Sequence, residues 1–200
     1  MTKLQFSERE KHDLLVAWIL VSVAFGIVFR NDAGLKDFGI YSLVLLSALT
    51  VGIGFLLHEL SHKYVAQHYG KYAEFHASVP FLVLAIVMSF FGFVFAAPGA
   101  VVISGYSTRR EMGHIAVSGP LANIALALLS LPALLLVTHG FWAVVVQYFF
   151  YINSWLALFN MIPLWVLDGA KVLNWSKRWY FVTLAMAVAL FVVGIAQGKI

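Results

Sequence analysis

Six runs of apolar residues, 14–29, 41–66, 79–104, 115–137, 141–167 and 180–196, alternate with short polar connections along the chain. Most approach the ~20 residues a helix needs to cross about 30 Å of hydrocarbon. Lipid offers a backbone no hydrogen-bond partners, so each run must satisfy its own N–H and C=O groups. The pattern therefore predicts an all-α polytopic membrane protein with five or six transmembrane helices. Neither an internal repeat nor a low-complexity stretch interrupts it, and residues 1–200 read as a single membrane-embedded domain.

The run at 79–104 differs from the others. Ala96-Ala97-Pro98-Gly99-Ala100 breaks it, and the β-branched Val101-Val102-Ile103 follows. This pattern predicts a re-entrant element that enters and returns on one side. The placement of Lys and Arg agrees. With five crossings, a re-entrant 79–104 and a cytoplasmic N-terminus, the inner side collects Lys3, Arg9, Lys11, Lys63, Lys71, Arg109, Arg110, Lys171, Lys177 and Arg178. The outer side holds Arg30, Lys36 and Lys199. Six full crossings would leave the inner side with fewer cations than the outer, against the positive-inside tendency.

Composition supports a bilayer setting: 62% of residues are apolar, 11% are charged and the mean hydropathy is +0.90. Soluble domains carry roughly a quarter charged residues. The net charge of +4 does not point to nucleic acid, because the cations sit in small groups at the ends of apolar runs rather than along one face. With no cysteine, any metal must be held by His, Asp or Glu. Ionisable side chains are costly inside a membrane and mark function there. Glu8, Glu10, Asp13, Asp32, Asp37, Glu74 and Glu111 fall in the tail or in connections, which leaves Glu59 and Asp168 in the apolar part.

Glu59 belongs to His58-Glu59-Leu60-Ser61-His62, an H-E-x-x-H pattern. On a helix, positions four apart share a face, so His58 and His62 can hold one Zn²⁺ while Glu59 reaches its water as catalytic base. A catalytic zinc takes three protein ligands, and Asp168 is the acid left to supply the third. It lies in Asn160-Met161-Ile162-Pro163-Leu164-Trp165-Val166-Leu167-Asp168-Gly169. Pro163 and Gly169 allow that segment to open and aim Asp168 and Asn160 inward. The other histidines, His12, His68, His76, His114 and His139, read as tail or loop residues with no spacing for a second metal.

Taken in order, His58-Glu59-x-x-His62, Gly119-x-x-x-Asn123 and Asn160-x-x-Pro163-x-x-x-x-Asp168-Gly169 resemble the site-2 protease family of intramembrane zinc metalloproteases. The resemblance implies a core at about 41–170, one catalytic zinc on His58, His62 and Asp168, and Glu59 as base. It further implies that Asn123 and Asn160 line the substrate site, that Gly119, Pro163 and Gly169 are structural, and that the substrate is a transmembrane protein cut in or near the bilayer. Nothing in the chain is similar to the PDZ or CBS domains of some members. The zinc site is expected toward the cytoplasmic side of the cell membrane. Two alternatives fit less of the pattern. A membrane divalent-metal transporter needs further ligands along a path, and a catalytically silent relative has no reason to keep Glu59.

Overall fold

The long helices begin where side chains satisfy their first free N–H groups. Ser7 caps α1 (Glu8–Val28) by accepting from the Glu10 N–H at 3.0 Å. Thr108 and Glu111 form a reciprocal capping box at the start of α5 (Arg109–Leu136). The computed structural model describes residues 4–94, 98–164 and 166–196.

After α1, helices α2 (Ile40–Ser47) and α3 (Ile53–His68) join through a π turn, Ala48–Gly52, into one rod. A π turn loosens the backbone bonding. The Trp18 indole N–H donates to the Ala48 carbonyl at 3.1 Å, and Gly52 leaves room for that ring. Strand β1 (Tyr72–Ala77), helix α4 (Val79–Ser89) and strand β2 (Gly99–Ser104) follow, then α5, α6 (Gly140–Asn160), α7 (Asp168–Trp175) and α8 (Lys177–Ala196). Helix α5 packs against α3, α6, α7 and α8, so it touches both helices, α3 and α7, that carry His58, His62 and Asp168.

Five helical rods among the described residues, at Glu8–Asn31, Ile40–His68, Arg109–Leu136, Gly140–Asn160 and Lys177–Ala196, are long and apolar enough to cross a membrane. The chain is an all-α polytopic membrane protein. Helix α4, with 11 residues, spans only about 16 Å, roughly half of the hydrocarbon thickness. The segment expected to turn back thus contains a helix too short to cross, followed by a strand. The break expected at Ala96 and Ala97 lies outside the described residues, as do Lys3, Trp165 and Lys199. Pro98 and Gly99 lead into β2.

Strand β2 pairs antiparallel with β1, with Phe75 opposite Val101 and Tyr72 opposite Ser104. The partner strand had no apolar signature because it carries Glu74 and His76. On the outer edge of β1 every group with an assigned partner meets a side chain. The Phe75 N–H donates to Glu10 at 2.9 Å, the Ala77 N–H to Asp13 at 3.1 Å, and Gln67 donates to the Ala73 carbonyl at 3.3 Å. The Ser7 hydroxyl at 2.5 Å and the Tyr72 hydroxyl both donate to Glu74, holding its carboxyl below the usual carboxylate range.

Several of the predicted boundaries shift. The run at 141–167 does not stay helical to its end: α6 stops at Asn160 and α7 begins only at Asp168, because Pro163 has no N–H to donate and its ring would clash with the carbonyl of Phe159. His68 and His114 are helical, and His76 lies in β1. His114 hydrogen-bonds Tyr69 at the end of α3 and packs edge-on against Trp175 of α7.

Glu10 and Lys63 form a fully buried ion pair between α1 and α3. Breaking one partner of such a pair strands the other charge. Glu10→Gln is expected to destabilise the protein by about 3–5 kcal/mol, whereas Glu10→Gln combined with Lys63→Met, which removes the stranded ammonium and keeps an acceptor for the Phe75 N–H, recovers part of the loss. Denaturation in detergent micelles measures both.

Candidate metal centre

One turn of α3 carries His58, Glu59 and His62, and α7 begins at Asp168. The two segments meet across α5. The His58 and His62 Nε2 atoms lie 3.0 Å apart, and the Asp168 Oδ2 atom lies 3.2 Å from the first and 3.0 Å from the second. All three side chains are buried. Lys171 Nζ lies 3.3 Å from the other Asp168 oxygen, Oδ1, and leaves Oδ2 to face the imidazoles.

Two glycines make this approach possible. A Cβ on Gly119 would sit 2.4 Å from His62 Nε2 and 2.5 Å from His58 Nε2, so the α5 backbone passes directly beneath both rings. A Cβ on Gly169 would sit 2.3 Å from the Met161 carbonyl oxygen. The chain folds back on itself there, and only glycine permits the contact. Pro163 lies in the irregular stretch between α6 and α7.

The outward nitrogens of both rings are committed. His62 Nδ1 is 2.7 Å from the Ile115 carbonyl, which can only accept, so that nitrogen carries the proton. His58 Nδ1 is 2.6 Å from Asn123 Oδ1. Each Nε2 therefore turns a lone pair toward the other and toward a carboxylate oxygen. Three lone pairs at 3.0 to 3.2 Å within a buried site repel unless a cation lies among them. A tetrahedral zinc with ligands at about 2.0–2.2 Å holds its donors about 3.3–3.6 Å apart, within a few tenths of an ångström of these separations. The donor set fits the metal.

Glu59 is partly buried, and its Oε2 accepts from the Val101 N–H of β2 at 3.2 Å. The two asparagines expected to line a substrate site differ in setting: Asn123 is fully buried and Asn160 is partly buried. Asn123 meets His58, the Gly54 carbonyl at 3.1 Å and Asn153 at 2.9 Å. Asn160 donates to the Leu156 carbonyl of its own helix at 3.0 Å. Asn153 and the Ile115 carbonyl had no signal in the sequence: one lies outside every motif, and the other acts through its main chain.

A relative in Methanocaldococcus jannaschii named "Putative zinc metalloprotease" is 39% identical over 181 residues, covering 88% of this chain and 89% of its own. The chain belongs to the same zinc metalloprotease family. That agrees with the site-2 protease resemblance of its three motifs. No family profile matches the chain, and no solved structure matches it.

Gly119→Ala forces a methyl group into both imidazoles. It is expected to weaken zinc binding by roughly 10- to 100-fold, the range for disturbing a ligand's support, with helix content retained. Competition against a chromophoric chelator measures the affinity, and circular dichroism the helix content.

Proposed function

We propose that this metalloprotease is an intramembrane zinc endopeptidase that hydrolyses peptide bonds within or near transmembrane segments of membrane-protein substrates. The observation that carries this reading is the buried convergence of His58, His62 and Asp168 among helices long and apolar enough for a bilayer, with Glu59 on the same turn as the two histidines.

His58, His62 and Asp168 would hold one zinc ion. When bound, zinc polarises the scissile carbonyl and lowers the pKa of a water to about 7. Glu59 takes the proton of the attacking water and returns it to the departing amine. Its Oε2 is engaged by the Val101 N–H, so Oε1 is the oxygen available for that transfer. Apolar surroundings strengthen each of these interactions and limit stray water.

A substrate helix hides its peptide bonds in its own hydrogen bonding, so it must extend before cleavage. The outer edge of β2 suits an extended chain. Phe75 and Val101 face each other, and both N–H groups point away from the ladder, to Glu10 and to Glu59. Three side chains from α1 and α3 engage the β1 edge, whereas the assigned contact on the β2 edge is that of Glu59 itself at Val101, so β2 is the strand that a substrate joins, directly beside Glu59. Residues 1–200 act as one domain, with the N-terminus and the zinc site toward the cytoplasm, as the Lys and Arg pattern supports. The transporter alternative calls for a path of ligands. Among the described residues, His58, His62 and Asp168 form the one group of this kind.

Glu59→Gln is expected to retain zinc while cleavage of a transmembrane peptide falls by about 10²- to 10⁴-fold. A chelator abolishes wild-type cleavage and added zinc restores it. Normal cleavage by the Gln variant would refute the assignment. The chain has no cysteine, so Arg110→Cys introduces a single label site at the start of α5. A membrane-impermeant maleimide is expected to reach it only from the cytoplasmic side, and labelling from outside would reverse the orientation.

A further inference from the structure

Asn153 lies in the middle of α6, outside all three motifs, and is fully buried. A primary amide in a membrane helix bundle is costly unless every polar atom is bonded, and here the bonds form a directed chain. The Asn153 Nδ2 donates to the Phe149 carbonyl at 2.8 Å. A carbonyl only accepts, so this contact fixes which end of the amide is nitrogen and turns the Asn153 Oδ1 toward α5. That oxygen accepts from the Asn123 Nδ2 at 2.9 Å, and the second Nδ2 hydrogen goes to the Gly54 carbonyl at 3.1 Å.

Two acceptors on one side of Asn123 decide its orientation. Reversed, its Oδ1 would face the Gly54 carbonyl and the Asn153 Oδ1, oxygen against oxygen in a dry interior. In the permitted orientation, the Asn123 Oδ1 meets His58 Nδ1 at 2.6 Å, so that ring nitrogen carries the proton and Nε2 keeps a free lone pair. His62 receives the same restriction in one step from the Ile115 carbonyl. His58 has no main-chain acceptor in that place and depends on two side-chain amides. Gly54 completes the arrangement, since a Cβ there would lie 2.8 Å from the Asn153 Oδ1.

We propose that Asn153 is a positioning residue: through Asn123 it locks His58 in the Nδ1–H tautomer and thereby sets the metal affinity of the site. This rests on the reading of His58 as a metal ligand. A merely structural asparagine bridging α5 and α6 would change stability and leave affinity alone.

The test uses the purified full chain in detergent micelles, stripped of metal, with Zn²⁺ and Co²⁺ affinities read by chelator competition. Asn153→Leu removes the acceptor at similar volume and is expected to weaken both affinities roughly 10- to 100-fold, the usual range for outer-shell partners of a metal-bound histidine. Asn153→Asp keeps an oxygen toward Asn123. Protonated, it also reproduces the donor to the Phe149 carbonyl, so affinity is expected to stay within about threefold of wild type. Wild-type affinity in Asn153→Leu would overturn the proposal, and so would an equal loss in both variants.

If the Leu variant does not fold, imidazole ¹⁵N shifts of the metal-free wild-type chain still decide, with His58→Ala identifying the resonance. A proton on His58 Nδ1, whatever the state of Nε2, supports the relay, and a bare Nδ1 overturns it. His58→Ala also separates the two readings. If it keeps full metal affinity, the ligand assignment itself fails. If it loses affinity while Asn153→Leu does not, only the role of Asn153 fails.

Discussion

Three lone pairs facing one point in a dry interior are the constraint from which the rest follows. His58 and Asp168 are 110 positions apart in sequence, yet a ring nitrogen and a carboxylate oxygen come within 3.2 Å. Each donor must be turned by a partner that cannot yield, because mutual repulsion would otherwise rotate the rings apart. The main-chain oxygens of Ile115 and Phe149 supply such partners, the second through two amides. Lys171 serves the same end for the carboxylate by occupying its other oxygen.

Close backbone approach follows from the same constraint. Helix α5 runs directly beneath the two rings at Gly119, and the chain between α6 and α7 doubles back over Met161 at Gly169. These contacts are main chain against side chain or main chain against main chain, and they leave no slack. The metalloprotease centre is therefore held by helix packing, with the Tyr69–His114–Trp175 contacts tying the ends of α3, α5 and α7 together one turn or two beyond it.

What could be read in advance was the local or the scarce. His58, Glu59 and His62 stand out because four-residue spacing is a property of one helix, and Asp168 because acids are rare in apolar runs. Glycine at 119 and 169 was visible as a letter, but its reason, a ring or a carbonyl in the space of a missing Cβ, exists only once distant segments meet. Hydropathy carried the run at 141–167 past the end of α6 because it weighs greasiness and ignores where a proline forbids the helix. The π turn at Ala48–Gly52 left no mark, and a strict 3.6-residue count from Ile40 reaches His58 on the wrong face. Glu74 and His76 hid β1, since their alternation reads as polar connection until Val101 and Ile103 are laid beside it.

The hairpin has a further property. Two paired strands ordinarily carry two bonding edges, and a sheet with two such edges can grow in either direction, one copy upon another. Glu10, Asp13 and Gln67 block one of those edges by engaging three of its main-chain groups from helices α1 and α3. The hairpin is left with a valence of one: under the proposed function a single guest strand would join the remaining edge, at the Val101 N–H that Glu59 engages. Stacking hairpin to hairpin through β1 is closed to neighbouring copies crowded in the same membrane.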